Sequence, residues 1–340
     1  MDFIPSIHLE VRNIQSGTGL QVLQRTLPHY NLSPAFGTTD TAFAGRFSAW
    51  FLGDLILLKS SLPAFKLART SVRIQDDGID AYSLIVLPRG SRIGRAEHRD
   101  ETIGSRQLAC LDLSRPFEAE VSACDAIQLF IGRTTLQSAV RTDFDVAATV
   151  LEGTTADLLT DYLLALSRHV DAVRIDEADP LCKATIAQIA AAIDLIPSPE
   201  RIIGRTPGIR IVVQRFIDRN LTDVDLSPDQ ISNHLGVPRS TLYRSFEAYG
   251  GIAAYIQRRR LQAVRALLLH PDEERSIGEL AETFGFSRAS HFTTAFRRAF
   301  GCTPRHLRSN KGRLFRARST RDPAEAPAVF RGWIEEIRLR

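Results

Sequence analysis

The sequence predicts an α+β chain, with a β-rich N-terminal part flanked by helices and an all-α C-terminal module of two helix-turn-helix units. Three observations carry that reading. The pattern of residues 227–246 returns at 276–296 with one extra residue in the turn, and a repeated supersecondary pattern marks a unit used twice. From Phe36 to about Arg133 the chain shows short apolar or alternating runs separated by turn signals, which argues a sandwich or small barrel. The charge divides along the same line: residues 1–200 carry a formal −7 and residues 201–340 carry +11, within a total of +4 for 340 residues.

The N-terminus, MDFIPSIHLE, has no basic region followed by an apolar run, and no segment approaches the roughly 18 uninterrupted apolar residues of a membrane span. The expectation is a soluble, cytoplasmic protein with no membrane partner. The strand candidates include Leu55-Ile56-Leu57-Leu58, Ser83-Leu84-Ile85-Val86-Leu87 and Leu108-Ala109-Cys110-Leu111-Asp112-Leu113. Asp76-Asp77-Gly78, Pro88-Arg89-Gly90 and Ser114-Arg115-Pro116 supply turns. Two helices follow, at 155–173 and 181–196, and the prolines at 197, 199 and 207 limit helix continuation through a linker. Residues 208–220 read as the first helix of the C-terminal module.

In the first repeat Ser227 can cap a helix that Pro228 starts, and Gln230 stands where a capping box wants Glu or Gln. Ile231 and Leu235 share a face, Gly236 can end the helix, and Leu242 and Phe246 lie on the buried side of the next. In the second repeat Ser276 and Glu279 form the matching box, Gly285 closes the helix, and Leu280, Phe284, Phe292 and Phe296 supply the core. Between them Ile252–Leu269 has a helical apolar pattern that suits a rigid spacer. A fixed spacer lets two helices enter successive major-groove segments roughly 34 Å apart. A cationic module joined to an acidic one fits the same purpose, since only the former must approach phosphates.

These residues resemble a known family. Leu235-Gly236-Val237, the run STLYRSF at 240–246, Arg260-Leu261, Leu267-Leu268, Ile277, Leu280-Ala281, Gly285-Phe286, His291-Phe292, Phe296-Arg297-Arg298, Phe300-Gly301 and Thr303-Pro304 fall in register with the DNA-binding domain of AraC/XylS-type bacterial transcription regulators. The strand-then-helix order before them is similar to the cupin-like β-barrel or jelly-roll effector domain of that family, with Asp112, Pro116-Phe117, Phe130-Ile131-Gly132-Arg133 and Leu136 matching its later strands. The resemblance implies a cupin-like effector domain at 1–145, a helical dimerisation and linker region at 146–198, a DNA-binding domain at 205–310 and a basic tail of unassigned role at 311–340. It implies a one-component activator that binds double-stranded promoter DNA and a small-molecule effector, with RNA polymerase and a second copy of the chain as further partners.

Helix position leaves Arg239, Ser240, Tyr243 and Arg244 outward on the first recognition helix, and Arg244 can pair bidentately with guanine. The family's base-contacting positions fall on Ser240, Tyr243 and Arg244, and in the second unit on Ala289, Ser290, Thr293 and Thr294. Many members carry Arg where this chain has Thr294, and Ala289 has no hydrogen-bonding side chain. The second helix is therefore expected to position the backbone through Arg288, Arg297 and Arg298, although each of these can also be a plain surface charge. Pro238 stands where the family commonly has a capping Ser.

Trp50, Phe51 and Phe65 are candidates to line an effector pocket, or else plain core. The stripe Leu159, Tyr162, Leu166 and Val173 either seals a dimer or docks on the chain's own barrel. Enzyme chemistry is not expected. The eight histidines are scattered, with Glu97-His98 the only suggestive neighbours, and no nucleophile elbow or phosphate loop occurs. No metal or cofactor is expected, and the four cysteines, at 110, 124, 182 and 302, form no framework. Two competing readings are an enzyme-like barrel fused to a DNA-binding module and an effector-independent DNA-binding dimer. Beyond Arg308 an arginine-rich stretch runs to Arg321, a Pro/Ala spacer follows at 323–328 and Phe330–Leu339 reads as a short helix; for this tail, phosphate contact and disorder stand side by side.

Overall fold

Alternation explains the strands. In the computed structural model, which describes residues 2–35, 42–96, 99–140, 148–195, 209–269, 273–300, 302–309 and 319–337, twelve strands form two antiparallel sheets. The strands are β1 (Ser6–Gln15), β2 (Asn31–Pro34), β3 (Ala42–Phe51), β4 (Leu55–Leu62), β5 (Phe65–Arg69), β6 (Ala81–Arg89), β7 (Arg92–Ala96), β8 (Arg99–Ile103), β9 (Leu108–Asp112), β10 (Phe117–Val121), β11 (Cys124–Gly132) and β12 (Ala148–Leu151). One sheet has the order β1-β3-β4-β11-β6-β9-β12, the other β2-β5-β10-β7-β8. The larger sheet is covered on both faces: Ile56, Leu58, Ile85, Leu87 and Phe130 point into the core between the sheets, whereas Leu55, Leu57, Leu84, Val86 and Leu129 point into a second core on its outer side. Two-sided burial is why these strands read as unbroken apolar runs.

Helices α1 (Ser16–Thr26), α2 (Ser71–Asp77), α3 (Arg133–Ala139), α4 (Thr154–His169) and α5 (Ile175–Leu195) belong to the same unit. The second core joins the sheet to α4 and α5 through Leu159, Leu163, Leu166, Ile189 and Ile193, with Val170 in the turn just after α4. The dimer expectation for this stripe is therefore corrected. Leu159 is 2 % exposed and Leu166 7 %, Tyr162 and Val173 pack against the same cluster, and the Tyr162 hydroxyl meets Thr185 Oγ1 at 2.6 Å. The stripe docks within its own chain because the sheet's outer face is itself apolar. The sheet also continues past residue 145, since β12 pairs with β9.

The second unit is all helical: α6 (Ile209–Arg219), α7 (Pro228–Leu235), α8 (Arg239–Ser245), α9 (Ile252–Leu269), α10 (Ile277–Thr283), α11 (Ala289–Phe300) and α12 (Pro304–Ser309). It holds two apolar clusters, one per repeat. Ile252, Tyr255 and Ile256 of α9 serve the first, and Leu261, Val264 and Leu268 of the same helix serve the second. A single helix is thus the wall of both cores.

The chain then returns to the first unit. Thr320 donates to Ser6 O at 2.9 Å and accepts from His8 N at 3.2 Å, covering the outer edge of β1, which an exposed edge strand requires in some form. Helix α13 (Ala326–Ile337) buries Ala326, Phe330, Trp333, Ile334 and Ile337, a stripe at helical spacing, in the core between the sheets. At Gly132 an added Cβ would lie 2.2 Å from Ile337 O, so a glycine lets this helix end close in. For residues 319–337 neither tail reading holds, because these residues complete the barrel. The predicted linker at 196–207, the Glu97-His98 pair and the arginine-rich residues 311–318 lie outside the described residues.

Candidate nucleic-acid interface and barrel cavity

Capping sets the direction of each recognition helix. Ser227 Oγ accepts from Gln230 N at 3.3 Å, and Gly236 takes the left-handed conformation (φ 64°) that ends α7. The Gln230 side chain does not complete a box; it donates to Asp223 Oδ2 at 2.7 Å. In the second repeat the box closes fully, with Ser276 N donating to Glu279 Oε2 at 2.6 Å and Glu279 N to Ser276 Oγ at 3.1 Å. Hydrogen bonds from Ser276 hold the Glu279 carboxyl below its ordinary pKa. Pro238 occupies the N-cap of α8, where it offers no side-chain acceptor.

The helices between and around these caps are fastened by arginines that the sequence alone would place on the surface. Arg259 is buried and its Nε donates to Asp218 Oδ1 at 2.8 Å. Arg260 Nε donates to Leu221 O at 3.1 Å and Nη2 donates to Asp223 O. A Cβ on Gly285 would lie 2.7 Å from Arg260 Nη1. One guanidinium therefore ties the loop before the first unit to the turn of the second.

On α8, Leu242 is fully buried while Arg239, Ser240, Tyr243 (52 % exposed) and Arg244 are open. On and beside α11, Arg288, Ala289, Ser290, Thr294, Arg297 and Arg298 are exposed and Thr293 is half-buried. Arg239 is not idle: it pairs with Asp229 in the first turn of α7. Phe292 and Phe296 hold α11 to its core with no exposure.

In the first unit a pocket with about 580 Å³ of empty space, open solvent included, lies between the two sheets. It is lined largely by aliphatic and aromatic residues, with Tyr30, Ser60, Arg92 and Gln128 the polar exceptions. Phe65 lines this pocket. Trp50 and Phe51 do not, because alternation and packing place them elsewhere. Trp50 faces the outer core and donates from Nε1 to Asp171 Oδ1 at 2.9 Å, and Phe51 packs against Trp333 in a tilted ring contact at 5.7 Å. Arg92, which sequence reasoning missed, is 1 % exposed and paired with Glu101. Burial pushes the Arg92 guanidinium down and the Glu101 carboxyl up, and their mutual attraction opposes both shifts. The missing signal lies in RIGRA itself, a strand that buries Arg92 and leaves Ile93 60 % exposed.

A deeper ion network serves structure. Arg133 Nη2 donates to Asp112 Oδ1 at 2.5 Å and to Ser114 Oγ at 2.7 Å, and its guanidinium also contacts Asp80 and Tyr82. Burial alone would raise the Asp112 carboxyl, but Arg133 and Arg115 outweigh it and hold it near a pKa of about 2. Among the described residues no group of three metal-ligating side chains occurs, and no helix is long and apolar enough to cross a membrane.

Residues 29–193 match the family of AraC-binding-like domains, and residues 231–310 match a helix-turn-helix domain family. The chain is 25 % identical over 336 residues to the transcriptional activator NphR of a Rhodococcus species, a match covering 92 % of this chain and 95 % of that one. The chain belongs to the AraC family of transcription regulators. As in other AraC-family proteins, the helical unit is a DNA-binding module and the β-rich unit is the effector-binding-like domain, and the family is one of regulators, not enzymes. The chain is also 34 % identical over 88 residues to the HTH-type transcriptional activator RhaS of Escherichia fergusonii, covering 25 % of this chain and 31 % of that one. The fold is similar to the crystal structure of the AraC-like transcriptional activator CuxR, with a TM-score of 0.53 and 22 % identity over 81 % of this chain and 99 % of that one.

Proposed function

We propose that this AraC-family regulator acts in the cytoplasm as a homodimeric activator that binds promoter DNA through both helix-turn-helix units of each protomer, contacts RNA polymerase there, and responds to a small molecule held between the two sheets. The observation that carries the reading is the pair of capped units on one shared helix, each presenting an exposed recognition face. On the first face Ser240, Tyr243 and Arg244 read bases, with Arg239 joining when Asp229 releases it. On the second Ala289, Ser290, Thr293 and Thr294 approach bases weakly while Arg288, Arg297 and Arg298 grip phosphate. Activation and the polymerase contact are supported by relatives that are themselves activators. Leu158 and Leu195, 65 % and 67 % accessible, are exposed apolar side chains outside the stripe that docks on the barrel, and the homodimer is proposed to bury them.

The full-length protein should footprint two successive major-groove segments in the DNA beside its own gene. Its affinity should fall steeply between 50 and 200 mM salt, as counterion release demands (roughly 10³-fold or more for six or more phosphate contacts). Flat salt dependence, or protection of a single segment, contradicts the reading. Sedimentation at micromolar concentration tests the homodimer, which a monomeric wild-type protein rules out.

A further inference from the structure

The inner faces of β7 and β8 break the rule that charges stay outside. Register places Arg92 opposite Ile103 and opposite Val121, both fully or nearly buried, and Gly94 opposite Glu101. Alternation therefore turns both ionic side chains inward together with Ile103. Gly94 makes the room, because a Cβ there would lie 2.6 Å from Glu118 O and 3.1 Å from Glu101 Oε1. The Arg92 guanidinium pairs with Glu101 through Nη1, lies 5.2 Å from the centroid of the Phe117 ring, and lines the pocket between the sheets. Its Nη2 has no hydrogen-bond acceptor among the described residues.

A buried ion pair is often no more stable than an apolar pair of the same volume, because desolvating two charges offsets their attraction. An open N–H on such a pair costs more still. A pocket that keeps both, within otherwise aliphatic and aromatic walls, is arranged to receive an acceptor atom. The charge of Arg92 is already matched by Glu101, so an incoming anion would leave a net negative charge in a low-dielectric site, close to a carboxylate. A neutral acceptor satisfies Nη2 without that penalty.

Building on the effector reading above, we propose that the pocket takes a small, uncharged, mostly apolar molecule whose carbonyl or hydroxyl oxygen accepts a hydrogen bond from Arg92, and that Glu101 sets selectivity against carboxylates. Arg92 is then the anchoring residue, and Glu101 acts on selectivity through its charge. Tyr30, Ser60 and Gln128 offer further hydrogen-bonding atoms on the same lining.

The test uses matched probes, benzamide against benzoate and hexanamide against hexanoate, titrated into the full-length protein at pH 7.5 with calorimetric and ligand-observed NMR readouts. At least one amide should bind at millimolar concentration or below, ten-fold or more tightly than its acid. Glu101→Gln should narrow or reverse that preference, which a merely structural role for Glu101 would not do. Arg92→Met should lose amide binding at least ten-fold. Should it fail to fold, the double variant Arg92→Met/Glu101→Met, which leaves no orphan charge, is expected to fold and to lose the same binding. Tighter binding of an acid than of its amide by the wild-type protein, or unchanged amide affinity in the double variant, overturns this inference while leaving an effector pocket in place. Absence of binding by all four probes overturns it too. If in addition a wider panel of small molecules leaves DNA affinity unchanged, the effector reading itself fails.

Discussion

The two helix-turn-helix units share a pattern and differ in how firmly each is held. The first starts its recognition helix on an uncapped Pro238, and its Gln230 is diverted to Asp223. Yet this unit displays Tyr243 and Arg244 in the open. The second closes its capping box and wedges Gly285 against Arg260. Its exposed N-terminal helix positions, though, are Ala289 and Ser290, preceded by Arg288, and its other arginines, Arg297 and Arg298, lie in the last turn. The better-anchored unit has the poorer reading surface. This difference implies a division of labour in which the first helix selects sequence and the second fixes the module on the phosphate backbone.

Core truncation should have the largest effect and should separate the units. Phe246→Ala and Phe292→Ala each remove a fully buried ring, expected to cost about 3–5 kcal/mol. Because the two rings belong to different clusters, hydrogen exchange should show Phe246→Ala exposing amides of α7 and α8 more than those of α10 and α11, with the reverse for Phe292→Ala. Uniform loss across the unit would mean that α9 couples the clusters into one.

The turn glycines provide the next contrast. Both hold positive φ, 64° at Gly236 and 74° at Gly285, so alanine should cost roughly 1–2 kcal/mol at either. A Cβ added at Gly236 would enter open space, whereas at Gly285 the new atom meets Arg260. Thermal unfolding should therefore rank Gly285→Ala as the more damaging, and equal losses would show that Arg260 moves away freely.

Capping gives a smaller effect with a pH signature. Ser276→Ala should cost about 0.5–2 kcal/mol. The folded-state pKa of Glu279 lies below its ordinary 4.5. Its side-chain contribution is therefore fully present above about pH 4.5 and is lost as pH falls through the depressed folded value. Gln230 does not titrate, but the Asp223 carboxyl it donates to is also held below its ordinary pKa by that hydrogen bond, so acid weakens both units, through Glu279 at the cap in the second and through the Gln230–Asp223 tie in the first. Amide exchange at the start of α10 and α7 between pH 3 and 6 checks both.

How far each region could be read beforehand follows from where its determinants lie. Caps, glycine turns and the apolar periodicity of α9 sit within a few residues of what they control, so both units were visible from the chain alone. The diversion of Gln230 to Asp223 and the tie of Arg239 to Asp229 were not, because each depends on which of two nearby partners wins. In the barrel, the apolar runs showed strands but not faces. Trp50 and Phe51 are adjacent, and alternation sends one outward to Asp171 and the other toward Trp333. The stripe of α13 has helical spacing, but its partners Phe47, Phe51 and Phe130 lie some 200 or more residues earlier. Arg92 ran against the hydrophobic pattern of its own strand, and only the pairing register with β10 and β8 reveals that it faces inward.

The division of labour is tested most directly by competition binding of the wild-type protein, Arg244→Ala and Arg297→Ala against the cognate site and its single-base variants across a salt series. Arg244→Ala should lose about 1–3 kcal/mol on the cognate site and relax preference at one base position. Arg297→Ala should weaken all sequences alike and reduce the salt slope by about 1. Equal, sequence-independent losses for both variants, or relaxed specificity in Arg297→Ala alone, would contradict the account.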